Sequence, residues 1–410
     1  MSERMDTNRI ISATDKFILF GAVFILFFSA LDPWFFWNSR EIVNGISFIV
    51  LIYISFKYKF SFFKRTSINK CAIILYCIIL LWMDGIKSFI SPSFYTNIII
   101  LIWIINLHRN LKGQLFSFIV KTFVLINSIS LIAWILYLLG IPFPHTYVEY
   151  SVYKYDNYYF FLFNLNFINQ IIPRFSGVII EPGHLSMVSA LLLYCNGMRL
   201  NKRVNLMLLI FIIFSFSLSG YILYITAYFY NQLIIKKVWK QFAIISMIFA
   251  FIVIPFTLQY NGGDNAINQL ILARLEFEDG EMSGNNRNAE GFELFYKKNI
   301  KGEKLLLGIG NEKWSKIDYT NCSYKSFICA NGLVGLFILT LMYVCFIAPY
   351  RNKYTFCLLL LYMMSFWQRP YALMRYELFI FILGIVYITL SNKLYKNTIN
   401  NESCISNSST

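Results

Sequence analysis

Apolar runs separated by short charged or turn-rich clusters follow one another along almost the whole chain. They fall at residues 17–37, 41–56, 71–90, 94–107, 114–139, 176–196, 204–219, 221–235, 241–258, 326–348, 354–367 and 376–391. A helix needs roughly 20 apolar residues to cross a bilayer's hydrocarbon core, so the pattern predicts about twelve transmembrane helices. The runs at 41–56 and 354–367 are short enough to tilt, thin the bilayer or re-enter, and Ser219 and Gly220 split another pair, leaving eleven to thirteen spans.

Composition narrows the class further. Of 410 residues, 58% are apolar, 19% aromatic and only 14% charged, whereas soluble domains carry about a quarter charged residues. A soluble enzyme, a disordered chain and a collagen-like chain are excluded, and the expectation is an all-α polytopic integral membrane protein, residues 1–410 forming a single membrane domain.

The net charge of +15 would suggest nucleic acid as a partner until it is counted loop by loop. With a cytoplasmic N-terminus and twelve spans, the cytoplasmic side holds 21 of the 36 basic residues and 4 of the 21 acidic ones, a balance of +17 against −2 outside. The positive-inside rule accounts for the whole excess, so both termini are expected in the cytoplasm and no nucleic acid is expected as a partner. Sixteen mostly polar residues precede the first apolar run and no small-residue cleavage site follows it, so that span is expected to be retained as an anchor.

Two outer segments are too long for turns, 140–175 and 259–325. The first is dense in Tyr and Phe from Tyr147 to Phe161, which suits an interfacial aromatic belt; a platform for sugar rings is the sharper alternative. The second opens on a Gly-rich stretch from Asn261 to Asn265 and carries amphipathic pieces around 267–277 and 292–296, consistent with a short helical subdomain resting on the bilayer. The eight cysteines show no metal-ligand spacing, and Cys322 and Cys329, two helical turns apart, are not placed for a disulfide.

The stretch from Arg174 through Ser176, Gly177, Glu181, Pro182, Gly183 and His184 puts an arginine, a carboxylate and a histidine at the outer end of one span. Polar groups there are costly unless paired or lining a wet cavity. Pro182 suits the first helical position, which sets Glu181 at the cap and points the helix's positive end outward. On a structural reading Glu181 caps the helix and pairs with Arg174; on a functional one the arginine and the helix end receive an anion. Arg40, Arg274, Arg287, Arg369 and Arg375 also lie outside, where topogenic charge is not needed. Snorkelling explains Arg40, while the others suit a phosphorylated lipid headgroup, since guanidinium offers phosphate a planar fork of donors.

Arg174-x-x-Gly177-x-x-x-Glu181-Pro182, Ser283-Gly284 with Arg287, Gly308-x-Gly310, and Asn331-Gly332-Leu333-Val334-Gly335 together resemble the Wzy-type O-antigen polymerases, within the polymerase and ligase superfamily of bacterial envelope glycosyltransferases. The resemblance covers roughly residues 160–380. Where the related ligases carry a histidine before a Gly-x-x-Gly, this chain has Asn321 and Cys322, which favours polymerase over ligase.

The resemblance implies a glycosyltransferase-C-like membrane fold with two large periplasmic loops, in the bacterial inner membrane. It implies metal-independent and cofactor-free transfer of a growing glycan from undecaprenyl diphosphate onto an incoming lipid-linked repeat unit, alongside a chain-length regulator and a flippase as pathway partners. Arg174, Arg287, Arg369 and Arg375 would hold diphosphate, Glu181 and then Asp318 are the candidate bases, and His184 and Asn321 would support them. A polysaccharide flippase or other transporter is the alternative from another class; it should place charges deep in many spans, and here ionisable residues gather outside.

Overall fold

The computed structural model describes residues 11–58, 67–150, 153–158, 162–166, 173–238, 277–278, 281–282, 291–317 and 323–407, with isolated positions between 244 and 259. Arg287, Asp318, Asn321, Cys322 and almost all of the expected run at 241–258 lie outside the described residues. The structure is 77% helical, which agrees with the helical class expected from the apolar runs.

The helices are α1 (Ala13–Ser29), α2 (Arg40–Lys57), α3 (Ser67–Asp84), α4 (Pro92–Asn106), α5 (Arg109–Leu138), α6 (Pro182–Cys195), α7 (Arg203–Phe214), α8 (Leu218–Tyr230), α9 (Phe292–Asn299), α10 (Glu303–Leu307), α11 (Asn311–Trp314), α12 (Tyr324–Ile347), α13 (Lys353–Gln368) and α14 (Arg375–Asn407). Among the described residues, two helical stretches, Arg109–Leu138 and Tyr324–Tyr350, are long and apolar enough to cross a membrane. Helices such as α6 and α7, at 14 and 12 residues, are shorter than the apolar runs that announced them.

The shortening has local causes. The run at 176–196 becomes helical only from Pro182, because Gly177 takes φ +59° and its missing Cβ leaves room for the Asn127 side chain, whose Oδ1 would otherwise lie 2.2 Å away. The expected split at Ser219 and Gly220 falls instead just before α8, where Phe216 adopts φ +44°. The segment preceding α6 ends α7 by taking its last carbonyls: Phe175 N donates to Phe214 O at 3.0 Å and Arg174 Nε to Ser215 O at 2.9 Å. Gly220 lies inside α8 and lets it close on α6, since a Cβ there would fall 1.6 Å from Ser186 Oγ.

Helix α6 sits at the centre. Every residue from Gly183 to Cys195 is buried, and α7, α8, α13 and α14 pack around it. A helix apolar on all sides is stable only when so enclosed. The bundle continues through α14 against α5, α4 and α1, and through α3 against α12.

The two long segments contain short strands, a departure from a purely helical reading. In the first, β1 (His145–Tyr150), β2 (Tyr153–Tyr158) and β3 (Asn164–Asn166) form an antiparallel meander, with Tyr150 opposite Tyr153 and Tyr155 opposite Asn166. Backbone pairing satisfies these peptide groups where an unpaired interfacial coil would not. The sheet is tied to the approach to α6: Asn164 N donates to Gly177 O at 3.2 Å and Ser176 Oγ to Asn164 O at 3.0 Å. In the second, β4 (Phe277–Glu278) pairs with β5 (Glu281–Met282), and α9–α11 enclose a small core of Phe292, Ile300 and Trp314 resting on Cys329 of α12.

At the expected cytoplasmic end, Asp15 receives Lys57 Nζ at 2.8 Å and Tyr58 Oη at 2.5 Å. The Lys57 ammonium, then the Tyr58 and Ser12 hydroxyls, lower its carboxyl from 3.8 to about 2. A carboxyl depressed by folding stabilises above its unfolded pKa and loses that contribution as pH falls through the folded value. Acid melting curves of the wild type and Asp15→Asn should therefore differ above about pH 4 and converge as pH falls toward about 2. Parallel curves across that window would mean the contact contributes nothing measurable, as many exposed pairs do.

Candidate functional site

The N-terminus of α6, the C-terminus of α13 and the turn from Arg369 to Arg375 meet at one end of the bundle. Glu181 occupies the cap position with Pro182 first in the helix, as the sequence suggests, but its side chain makes no capping hydrogen bond. It forms an ion pair with Arg369 Nη2 instead. The expected partner, Arg174, is committed to the end of α7 through Ser215 O and does not join Glu181. The α13–α14 turn, nearly two hundred residues along the chain, delivers the cation that sequence proximity assigned to Arg174.

Arg369 is 9% exposed in its side chain and Glu181 27%, so the pair is largely withdrawn from water. Its guanidinium also reaches Tyr371 Oη at 3.4 Å and lies 5.8 Å from the centre of that ring. Gly183 makes this approach possible: a Cβ there would sit 2.7 Å from Arg369 Nη2. A cation over a helix N-terminus is unfavourable by itself, and the Glu181 carboxylate at the same end offsets it. His184 is buried beside the pair, edge-on to Tyr371 at 4.8 Å and 6.5 Å from Tyr376.

Arg375 begins α14 at the far end of the same turn. Its Nε donates to Asn97 Oδ1 of α4 at 2.8 Å, and no carboxylate among the described residues pairs with it. Burial lowers its pKa, and the like charge of Arg40, itself paired with Asp32 at 3.1 Å, adds to the effect. Arg375 is thus a partly buried guanidinium at a helix N-terminus, with no acid among the described residues beside it.

Two tyrosines brace this turn and the start of α14, and a third is buried beside them. Tyr343 Oη donates to Ala372 O, Tyr362 Oη to Glu377 O at 2.8 Å, and Tyr376 is 1% exposed. Glu377, in the first turn of α14, is also 1% exposed, and neither carboxyl oxygen has a hydrogen-bond partner among the described residues. The sequence reading passed over Asn97, Tyr343, Tyr362, Tyr371 and Glu377. Only Glu377 carried a signal, as a lone acid inside an apolar run.

The glycine motifs of the second segment come together at a break in α12. Gly332 takes φ 68° and ψ −178° within that helix, dividing it into two halves. The turn after α10 supplies replacement donors: Ile309 N to Cys329 O at 2.8 Å and Gly310 N to Ala330 O at 3.0 Å. Trp82 Nε1 of α3 takes Asn331 O at 2.9 Å, and Gly335 accommodates the same indole. Gly332 thus breaks the helix. The N-terminal half of α12 packs on the end of α13 that leads into Arg369, through Tyr324, stacked on Trp367 at 4.0 Å, and Phe327, 5.2 Å from Phe366.

Among the described residues no group of three or more His, Cys, Asp or Glu side chains is arranged to hold a metal ion. No protein family, curated protein or solved structure matches the chain.

Proposed function

We propose that the chain is a multi-pass glycosyltransferase of the bacterial inner membrane, with about twelve spans and both termini in the cytoplasm. In this reading it is an O-antigen polymerase that joins undecaprenyl-diphosphate-linked repeat units at the periplasmic face. The observation that carries the reading is Arg375, a partly buried guanidinium without an acid partner among the described residues, at the other end of the short turn that begins with Arg369, the partner of Glu181. Departure of a diphosphate from an anomeric carbon places negative charge on the leaving oxygen, and arginines at two helix N-termini oppose it electrostatically.

The acceptor hydroxyl oxygen attacks the anomeric carbon, the bond to the diphosphate oxygen breaks with its electron pair leaving on that oxygen, and the hydroxyl proton passes to a base. Glu181, paired with Arg369, is the base in this scheme, with Asp318 the second choice. Arg375 and Arg369 take the diphosphate, with Arg174 and Arg287 assigned the same role on the resemblance alone, and His184 and Asn321 in support.

Arg375→Ala should abolish polymer while protein levels stay intact, and Arg375→Lys should rescue only partly because an ammonium lacks the planar fork. Asn97→Ala should lower activity less, by releasing Nε. Normal chain lengths in Arg375→Ala would remove it from the mechanism. Reporter fusions test the topology: cytoplasmic reporters should be active after residues 65, 110, 201, 238 and 352, and periplasmic reporters after 155 and 285.

The broken helix α12 favours a second reading, because transporters build substrate sites from discontinuous helices. Its freed carbonyls are, however, taken by Ile309, Gly310 and Trp82. Deleting the gene separates the readings. Lipopolysaccharide cores bearing one repeat unit support a polymerase, bare cores with full-length lipid-linked polymer a ligase, and bare cores with cytoplasm-facing single units a flippase.

A further inference from the structure

The helices α9, α10 and α11 carry charge that the ion pairs nearby do not consume. Between residues 291 and 317 there are six lysines and three glutamates. Glu293 is taken by Lys325 at 2.5 Å and Glu312 by Lys316 at 3.8 Å. Lys297, Lys298, Lys301, Lys304 and Lys313, and against them Glu303, are all exposed and make no ion pair among the described residues. By the expected topology this segment lies outside, where basic residues have no topogenic use.

A cleft of about 460 Å³ opens in the same subdomain. Lys304 and Lys313 line it together with Phe295, Leu307, Ile309 and Ile317, and with the carboxylate of Glu303, so the lining carries two cations against one anion. Beside it Leu306 and Leu307 are 53% and 43% exposed, and Leu294, adjacent to Phe295 on α9, is 74% exposed. Uncompensated lysines beside exposed leucines are the signature of a segment seated at the headgroup and acyl boundary of an anionic bilayer. A soluble phosphate ester would account for the lysines and leave the leucines without a role.

We infer that the cleft between α9, α10 and α11 is a binding site for the headgroup of an anionic phospholipid, its phosphate held by Lys304 and Lys313 and its upper acyl chains covering Leu306 and Leu307. The site is separate from the Glu181–Arg369 and Arg375 clusters and does not depend on what they catalyse. Its floor includes Gly308 and Ile309, the turn bonded to the break in α12, so an occupied cleft bears on the element that packs on the end of α13 leading into Arg369.

The test places the photo-crosslinking residue p-benzoylphenylalanine at Leu307 of the full chain, reconstituted in vesicles of phosphatidylglycerol or of phosphatidylcholine. Lipid adducts at position 307 should form in phosphatidylglycerol and fall roughly tenfold in phosphatidylcholine. A similar fall is expected in phosphatidylglycerol when Lys304→Glu and Lys313→Glu are combined. Lys304→Gln with Lys313→Gln should fall by less, and Lys236→Glu with Lys237→Glu should match the parent protein, with melting temperatures unchanged throughout. Equal adduct yields in the two lipids, or yields indifferent to both lysine pairs, would overturn the site. So would protection of the cleft by inorganic phosphate in the absence of any lipid adduct, which would assign it to a soluble phosphate ester.

Discussion

Arg369→Gln is expected to destabilise the protein by about 3 kcal/mol and to eliminate polymer, because it strands the Glu181 carboxylate without its partner. Glu181→Gln should be comparably damaging for the converse reason, since the Arg369 side chain is only 9% exposed and loses its counter-charge. Both singles fail whether the pair is scaffold or chemistry, so neither alone decides its role. The double variant Glu181→Gln, Arg369→Gln does. Two neutral amides at the same positions can hydrogen-bond to each other, and stability should return to within about 1 kcal/mol of wild type. If Glu181 accepts the hydroxyl proton and Arg369 meets the diphosphate, the refolded double variant still makes no polymer from purified lipid-linked repeat units. Recovery of turnover together with the melting temperature would reduce the pair to a strut and shift the search for a base to Asp318.

Gly332→Ala is expected to prevent accumulation of folded protein, costing about 3 kcal/mol or more through two additive terms. The backbone at φ 68° and ψ −178° is open essentially to glycine alone, and a Cβ would collide with Leu306 O at 2.2 Å. Gly308→Ala meets the mirror of this contact, at 2.4 Å from Ala330 O. Two further glycines separate the terms. Gly310 also has a positive φ, +86°, but nothing lies within 4 Å, so Gly310→Ala should show the strain without the collision, about 1–3 kcal/mol. Gly45 lies inside α2 with open space around it, and Gly45→Ala should be neutral or slightly stabilising. Unfolding temperatures in detergent should fall in the order Gly45, Gly310, Gly308 and Gly332. A Gly332 variant as stable as the Gly310 variant would mean that the α10 turn does not clamp the break in α12.

The sequence by itself marked most of the described helices, because a long apolar run satisfies its peptide groups within itself as a helix. The runs around 114–139 and 326–348 correspond to the long helices α5 and α12, whose lengths follow from their own residues. It also marked Glu181, Arg369 and Arg375 as charges at the ends of apolar runs, which need partners wherever the chain goes. Which charges meet was not legible. Arg174 is close to Glu181 in sequence and Arg369 is far, yet Phe175 and Arg174 are drawn away to close the end of α7 while the Tyr343- and Tyr362-braced turn brings Arg369 over Gly183. The strands at 145–166 were equally hidden, because a tyrosine-rich interfacial coil and a tyrosine-rich meander differ only in whether partners pair across the turn. Local pattern specifies a helix because its hydrogen bonds close within about four residues. An ion pair, a helix break clamped by a distant turn and a strand register depend on contacts tens to hundreds of residues apart, and only the packed chain decides them.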